Sequence, residues 1–139
     1  MVDKPFANKQ WTLARFRSFI MSALRGAKWP PKYQALRQAY VKTGVNPATG
    51  RMCKLHKCAI CGNLFPQKDM AVDHIHPVIP IDGFDCEGFL GYNWDQVLRR
   101  LFVESDGLQA VCKPCHNLKT SDERKLRKIS KKEYGTIHK

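Results

Sequence analysis

The 139-residue sequence has no long hydrophobic run and few acidic residues. Its most apolar short segment, residues 19–24, is flanked by arginines and is far shorter than the roughly 18 residues of a membrane span, so neither such a span nor a secretory signal fits. The length corresponds to one domain, or one domain with an arm. We therefore expect a folded protein that stays in the compartment where it is made, the cytoplasm, and that has no membrane partner.

The charge is strongly basic and unevenly distributed. Against 24 lysines and arginines stand only 12 acidic residues, which gives a net charge of +12. Residues 1–51 carry ten basic residues and one acidic, residues 52–105 carry five and seven, and residues 106–139 carry nine and four. Basic flanks are typical of surfaces that bind nucleic acid, and an acidic middle suggests carboxylates kept for a metal or for catalysis. A merely soluble basic surface is the alternative.

Hydrophobic periodicity predicts two parts with different structure. Steps of three and four predict an amphipathic helix over residues 11–27 and a second helix that follows Pro30-Pro31, carries Tyr40 and closes at Gly44. A turn-rich linker, residues 46–50, then separates this helical hairpin from the second part. In the second part we expect, in order, a strand from Met70 that ends at Pro77, an inserted helix over 94–102, a strand over 108–111 and a closing helix over 115–129. The predicted boundaries give a basic helical arm (1–50), a domain (51–130) and a basic tail (131–139).

Two Cys-x-x-Cys pairs indicate a structural zinc site. Disulfides are not expected in a chain without an export signal, because the cytosol keeps thiols reduced. Each spacing lets two sulfurs of a tight turn reach one tetrahedral ion, so the four thiolates together would close a zinc site. The pairs are Cys58 with Cys61, and Cys112 with Cys115.

Other arrangements of the cysteines remain open. Free buried thiols or a redox pair are the alternative to zinc, and Cys53 with His56 is an alternative half-site. Cys86 lies in an acidic, glycine-rich loop and is most simply a lone thiol.

Zinc binding would bring together two further segments that contain candidate metal-binding and catalytic residues. Asp73 and His74 lie in the first predicted strand, and His116 begins the closing helix. An Asp and a His together can hold a divalent cation. Because neighbouring strand residues face opposite ways, His74 would then serve as a proton acceptor for water. Taken singly, either histidine would more often be structural.

A paired motif in this part resembles the HNH endonucleases, in the branch with four zinc cysteines that is common in bacteriophages. It consists of Val72-Asp73-His74-Ile75-His76-Pro77-Val78, followed by Gly107-Leu108-Gln109-Ala110-Val111-Cys112-Lys113-Pro114-Cys115-His116-Asn117-Leu118-Lys119-Thr120. The match covers residues 58–122, about half of the chain. The resemblance implies an α+β fold with a ββα-metal unit, in which a two-stranded hairpin and a helix surround one catalytic cation. Residues 51–130 would form the nuclease domain, which contains the structural zinc and the inserted helix. The N-terminal helical hairpin would precede this domain.

The resemblance also assigns roles by position. His74 matches the general base, and Asp73 and His116 match ligands of the catalytic cation, which would be magnesium or manganese, with nickel as an alternative. Thr120 occupies the place of a second helical ligand in some relatives, but Thr binds metals poorly, so we expect two protein ligands and several waters. The family's middle Asn falls at Gly107. Hydrogen bonds from Asp106 or Asn93, or the inserted helix, would hold that loop instead.

A nuclease also needs phosphate contacts that position DNA without reading its sequence. We expect them from basic residues on the last and first helices: Lys119, Arg124, Arg127, Arg15, Arg17 and Arg25. A solvated helix face is the alternative for the first helix, and His76 is either a loop or phosphate contact or a structural residue. No base-reading module is evident, so sequence specificity should be low or come from DNA shape.

The resemblance therefore implies a metal-dependent DNA endonuclease or nickase that leaves 5′-phosphate and 3′-hydroxyl ends, and it also implies a phage origin and action in the host cytoplasm. One alternative is a zinc-containing DNA-binding module without catalysis. Another is a component of a phage packaging complex that docks through the helical hairpin.

Overall fold

The computed structural model describes the backbone of residues 2–137 and the side chains of residues 2–130, and it contains helices and two small antiparallel sheets. The α+β class predicted from the sequence is confirmed. The elements in chain order are α1 (Leu13–Arg25), α2 (Pro30–Gln38), β1 (Tyr40–Val45), β2 (Met52–Lys57), β3 (Leu64–Pro66), β4 (Met70–His74), α3 (Trp94–Leu101), β5 (Leu108–Cys112) and α4 (Lys113–Ile137). In the described part of the chain, none of the helices is both long and apolar enough to cross a membrane.

The two N-terminal helices begin where local sequence signals place them. The side chain of Thr12 caps α1 by accepting a hydrogen bond of 3.1 Å from the backbone nitrogen of Arg15. Pro30 and Pro31 occupy the first turn of α2, where a missing backbone N–H breaks no helical hydrogen bond. The first predicted helix is confirmed in type and position.

The second helix is shorter than predicted, and its closure at Gly44 is wrong. α2 ends at Gln38, and Tyr40 and Gly44 both lie in β1. The strand forms because β-branched residues favour extended backbone and because β1 pairs with β2, with Val45 opposite Met52. Gly44 serves this pairing, since a Cβ atom there would lie 2.6 Å from Cδ1 of Leu55.

Residues 46–50, which we predicted to be a linker, form the turn between β1 and β2. The side-chain oxygen of Asn46 accepts a hydrogen bond of 2.9 Å from the backbone nitrogen of Ala48. Gly50 adopts a positive φ of 72°, which glycine tolerates without steric cost. The domain boundary that we placed near residue 50 thus falls inside a β-hairpin.

In the second part, β4 and β5 pair antiparallel in the register Asp73 opposite Gln109 and Met70 opposite Cys112. Both strands, the inserted helix α3 and the closing helix α4 confirm the elements predicted there, although β4 ends at His74 rather than at Pro77. α4 begins at Lys113, two residues before the predicted start, and continues to Ile137. The side chains of the predicted basic tail, residues 131–139, lie outside the described part of the chain.

Two buried clusters hold these elements together. One surrounds β4 and β5 and contains Cys58, Met70, Ala110, Val111 and Cys112. The other joins α1 to α3 and contains Met21, Val78, Val97 and Leu101. Since burial of apolar area is the main stabilising term in folding, these clusters fix β4 and its neighbours in place.

Candidate functional site

The four cysteines of the two Cys-x-x-Cys pairs lie together, as predicted. Their sulfur atoms are all within 4.8 Å of one another, a separation that allows them to hold one metal ion. We call Cys58, Cys61, Cys112 and Cys115 the cysteine cluster. It joins the turn after β2 to the junction of β5 with α4, so one ion would link segments about 50 residues apart.

The local backbone is arranged to stabilise a thiolate at Cys58. The backbone nitrogens of Ile60 and Cys61 each donate to Sγ of Cys58 at 3.4 Å. Burial raises the pKa of Cys58, but hydrogen bonds from backbone N–H groups outweigh burial and lower that pKa to about 6.

The remaining sulfurs show why the cluster fits a cation. A hydrogen bond with Cys112, together with burial, raises the pKa of Cys115 to about 12. Burial also raises the pKa of Cys112. Four sulfurs at these distances cannot all ionise unless a cation compensates their charge, and a tetrahedral zinc ion is the usual one.

The other sulfur and imidazole candidates lie outside this cluster. Cys53 and His56 are on β2 and do not belong to the group of side chains that could hold a metal ion in the described part of the chain. Cys86 is exposed, as a lone thiol would be.

β4 and α4 bring Asp73 and His116 together. The Oδ1 atom of Asp73 lies 3.8 Å from Nε2 of His116, and only 12% of the Asp73 side chain is exposed. Gln109, which faces Asp73 across the strand pair, donates from Nε2 to Oδ2 of Asp73 at 3.1 Å. This bond orients the carboxylate so that Oδ1 is on the side of His116, and a carboxylate and an imidazole so placed form a suitable pair for a divalent cation.

His74 is held by a different neighbour. Its Nε2 atom lies 2.9 Å from the carbonyl oxygen of Leu101, at the end of α3. Burial lowers the pKa of His74, and the charges of Lys32 and Arg25 lower it further, while the bond to Leu101 and the charge of Asp73 act against this. A neutral ring that donates its Nε2 hydrogen to a carbonyl keeps a lone pair on Nδ1, which can accept a proton.

Lys119 differs from its predicted role as a DNA contact, because its ammonium group is engaged inside the protein. Nζ lies 2.7 Å from Oδ2 of Asp73 and 2.8 Å from Oε1 of Glu123, and it donates to the carbonyl oxygen of His74 at 2.8 Å. These bonds use all three hydrogens of the ammonium. Burial alone would lower the pKa of Lys119, but the two carboxylates outweigh burial and raise it.

Asp73, His74 and His116 line one cavity of about 350 Å³, which we call the Asp73 cavity. Its polar lining comprises Asp73, His74, His116, Thr120, Glu123, Arg25, Lys32 and Arg127. Arg25, Lys32 and Arg127 therefore place positive charge around the carboxylates of Asp73 and Glu123, and positive charge is what a phosphate-binding site requires.

Two of these lining residues were missed from the sequence. Glu123 lies seven residues after His116 on α4, and this helical spacing was a usable signal. Lys32 had no such signal, because only the packing of α2 brings it to the cavity.

The predicted basic contacts are placed unequally. Arg25 and Arg127 line the Asp73 cavity, although Arg127 also donates to the carbonyl oxygen of Ile79 at 2.7 Å. Arg124 is exposed on α4. Arg15 lies over the ring of Trp11, with the guanidinium carbon 5.2 Å from the ring centroid.

Arg17 is bound within the protein rather than free for phosphate. Its guanidinium donates to the carbonyl oxygen of Leu90 at 3.0 Å and lies 4.6 Å from the centroid of the Tyr92 ring. This placement differs from the phosphate contact that we expected.

Two other residues singled out in the motif are placed differently from each other, since Thr120 lines the Asp73 cavity and His76 does not. His76 is exposed and does not line the Asp73 cavity. The hydroxyl of Thr120 donates to the carbonyl oxygen of His116 at 2.9 Å, a bond within the helix.

The loop around Gly107 is held by backbone groups and by Trp29. Gly107 donates to the carbonyl oxygen of Glu104 at 3.0 Å and accepts from the backbone nitrogen of Ile75 at 3.1 Å. The indole nitrogen of Trp29 donates to the carbonyl oxygen of Val103 at 2.6 Å. The side chain of Asn93 instead caps α3, so it does not make the hydrogen bond to this loop that we considered for it.

No family model, curated protein or solved structure matches the chain in comparisons with known proteins. The function is therefore inferred from the motif and from the geometry of the site.

Proposed function

We propose that the protein is a metal-dependent DNA endonuclease or nickase of the HNH type, which leaves 5′-phosphate and 3′-hydroxyl ends. One observation carries the proposal: Asp73 on β4 and His116 at the start of α4 approach to 3.8 Å beside His74 in one cavity. The order of two antiparallel strands and a helix, with the cysteine cluster at their junction, supports the same proposal.

Asp73 and His116 would hold the catalytic cation. A carboxylate oxygen and an imidazole nitrogen are ligands that magnesium or manganese accepts, and the cation would be completed by water and phosphate oxygens. When bound, a divalent cation stabilises negative charge on the scissile phosphate and on the leaving oxygen. Gln109 keeps the Asp73 carboxylate oriented for this role.

His74 would act as the general base. Its Nδ1 lone pair takes a proton from the attacking water, and the bond from Nε2 to the Leu101 carbonyl holds the ring and stabilises the imidazolium that forms. Its lowered pKa keeps the ring neutral, and so ready to accept a proton, at neutral pH.

Three basic residues would bind the phosphates that flank the scissile bond. Arg25, Lys32 and Arg127 come from α1, α2 and α4 and line the same cavity. Contacts of this kind position the DNA backbone without reading base sequence, so we infer low sequence specificity.

A second candidate function is DNA binding without cleavage. The observation in its favour is the ion pair of Lys119 with Asp73, which already neutralises the proposed cation ligand. In that case the same basic surface would hold DNA while the cysteine cluster serves only the fold.

Supercoiled plasmid separates the two functions. Wild-type protein and Asp73→Asn are incubated with it at low salt, with magnesium, manganese or nickel and without added divalent cation. We expect metal-dependent conversion to open circle or linear DNA by the wild type and none by the variant. Retardation of the plasmid on a gel by both proteins, with no conversion under any metal, would favour the binding module instead.

A further inference from the structure

A second cavity, of about 530 Å³, lies where α2 meets the three-stranded sheet. Its size is within the range of roughly 300–1,000 Å³ that is usual for ligand sites. Leu36 contributes apolar surface, and the other lining residues are Tyr33, Arg37, Tyr40, Lys54, His56 and Gln67. We call it the tyrosine cavity; the proposed cleavage chemistry does not use it.

The lining combines exposed aromatic rings with positive charge. Tyr33 is 53% exposed and Tyr40 is 44% exposed, so both rings are available to a ligand. Arg37 and Lys54 are also exposed, and none of the lining residues is acidic. Rings next to cations suit a flat ligand that carries negative charge.

His56 adds a buried polar atom to the wall of this cavity. The residue is only 4% exposed, and its Nδ1 atom is buried without a hydrogen-bond partner among the described residues. The ring is held edge-on to Tyr40, with centroids 6.0 Å apart. A buried polar group without a partner is costly, so a movement of the ring that brought Nδ1 to the polar edge of a ligand would relieve that cost.

We propose that the tyrosine cavity binds an unpaired nucleobase of single-stranded DNA together with its adjacent phosphate. The base would stack on Tyr33 or Tyr40, since every base offers a π-face, and its polar edge would meet His56 and Gln67. The phosphate would lie against Arg37 and Lys54. The choice of DNA as the ligand rests on the proposed function.

The position of the cavity explains how it would serve cleavage. α2 contributes Lys32 to the Asp73 cavity, and it contributes the next residue, Tyr33, to the tyrosine cavity. A single strand could thus cross α2 from one cavity to the other. The inferred substrate is DNA with unpaired nucleotides beside the bond that is cut.

Binding measurements test this without cleavage. Fluorescence anisotropy is recorded without added divalent cation on a blunt duplex, on duplexes with thymidine overhangs at the 5′ or 3′ end, and on the same overhangs with abasic sites. We expect wild-type protein to bind one of the thymidine overhangs on the order of tenfold more tightly than its abasic counterpart. The Tyr33→Ala/Tyr40→Ala double variant should lose this difference and bind blunt duplex like the wild type.

Two further variants make the test specific. Phe19→Ala removes an aromatic ring that is also exposed, at 55%, but lines neither cavity, and it should keep the overhang preference. The Tyr33→Phe/Tyr40→Phe variant keeps both rings and should keep most of the preference. Melting curves check that each variant folds, and the abasic comparison needs no variant.

The outcomes separate this inference from the proposed nuclease. If wild-type protein binds thymidine and abasic overhangs equally, or the alanine double variant keeps the difference, the inference is overturned even if plasmid is cut. If tyrosine-dependent overhang binding occurs but no plasmid is cut under any metal, the inference stands and the nuclease proposal fails.

Discussion

The ammonium of Lys119 lies 2.7 Å from the carboxylate of Asp73, on the oxygen that Gln109 also contacts. The other oxygen of the same carboxylate lies 3.8 Å from His116. A cation bound between Asp73 and His116 would therefore share its carboxylate with a positive charge already in place. This competition sets how tightly the cation binds.

Replacing that charge should strengthen cation binding. We expect Lys119→Met to raise the affinity for manganese at least tenfold, because the attraction between opposite charges at this distance is worth on the order of a few kcal/mol near a protein surface, and about 1.4 kcal/mol corresponds to a tenfold change. Titration of manganese followed by electron paramagnetic resonance measures this directly. Lys125→Met, an exposed lysine on the same helix, is the control and should change nothing. Unchanged manganese affinity in Lys119→Met would show that the ion pair of Lys119 with Asp73 does not limit cation binding.

Removing the proposed base should abolish cleavage and spare binding. We expect His74→Ala to slow plasmid cleavage by about 10²–10⁴-fold, the usual effect of losing a general base. DNA affinity should remain within about twofold, because the ring is not proposed to contact phosphate. The matched control is His76→Ala, an exposed histidine two residues away that should cut like the wild type. Wild-type rates in His74→Ala would refute the mechanism.

The cysteine cluster should be required for stability. Cys112 is buried, and Cys112→Ser removes one of four grouped sulfurs. Structural zinc contributes on the order of 10 kcal/mol of binding free energy that is coupled to folding, so we expect loss of zinc and a much lower melting temperature. Elemental analysis and thermal unfolding check both, with exposed Cys86→Ser as the unaffected control. A variant that keeps its zinc and melts normally would exclude the cluster as a zinc site.

Two arginines on α1 should behave differently. Arg25 is exposed and lines the Asp73 cavity, so Arg25→Ala should weaken DNA binding and reduce the slope of log affinity against log salt by about 0.9. Arg17 is bound to Leu90 and Tyr92, so Arg17→Ala should instead cost about 2 kcal/mol of stability. Anisotropy at several salt concentrations and chemical denaturation measure the two effects. If Arg17→Ala weakened DNA binding and Arg25→Ala only lowered stability, Arg17 would be the DNA contact.

Introducing at Gly107 the Asn that HNH endonucleases have at the matching position should destabilise this protein. A Cβ atom at Gly107 would lie 2.9 Å from Cγ2 of Val103, so Gly107→Asn should destabilise the protein by about 1–3 kcal/mol. Adding Val103→Ala to Gly107→Asn frees that space and should recover part of the loss. Thermal unfolding of the single and double variants measures the coupling. If Val103→Ala only added its own destabilisation to that of Gly107→Asn, crowding against Val103 would not be the cause of the lost stability.

Local patterns in the sequence predicted most of the second part. β4, α3, β5 and the existence of α4 follow from short-range periodicity, and the Cys-x-x-Cys spacing predicted the cysteine cluster. The predicted roles of Asp73, His74 and His116 remain predictions, although the structure places all three in one cavity.

The errors came from interactions between distant segments. Tyr33, Leu36 and Tyr40 keep helical spacing, but pairing of β1 with β2 decides the structure after Gln38. The partners of Lys119 depend on the distance between β4 and α4, which no local pattern encodes. Lys32 likewise reaches the Asp73 cavity only because α2 packs beside it, which no local pattern encodes.

Cys115 and His116 are consecutive residues in the first turn of α4, and each belongs to a different cluster. One residue inserted between them would rotate His116 by about 100° around the helix axis and away from Asp73. The surface loop over residues 80–88 carries no such double constraint. Engineering that lengthens the chain, for a tag or a fused recognition domain, should therefore succeed in that loop and fail at the beginning of α4.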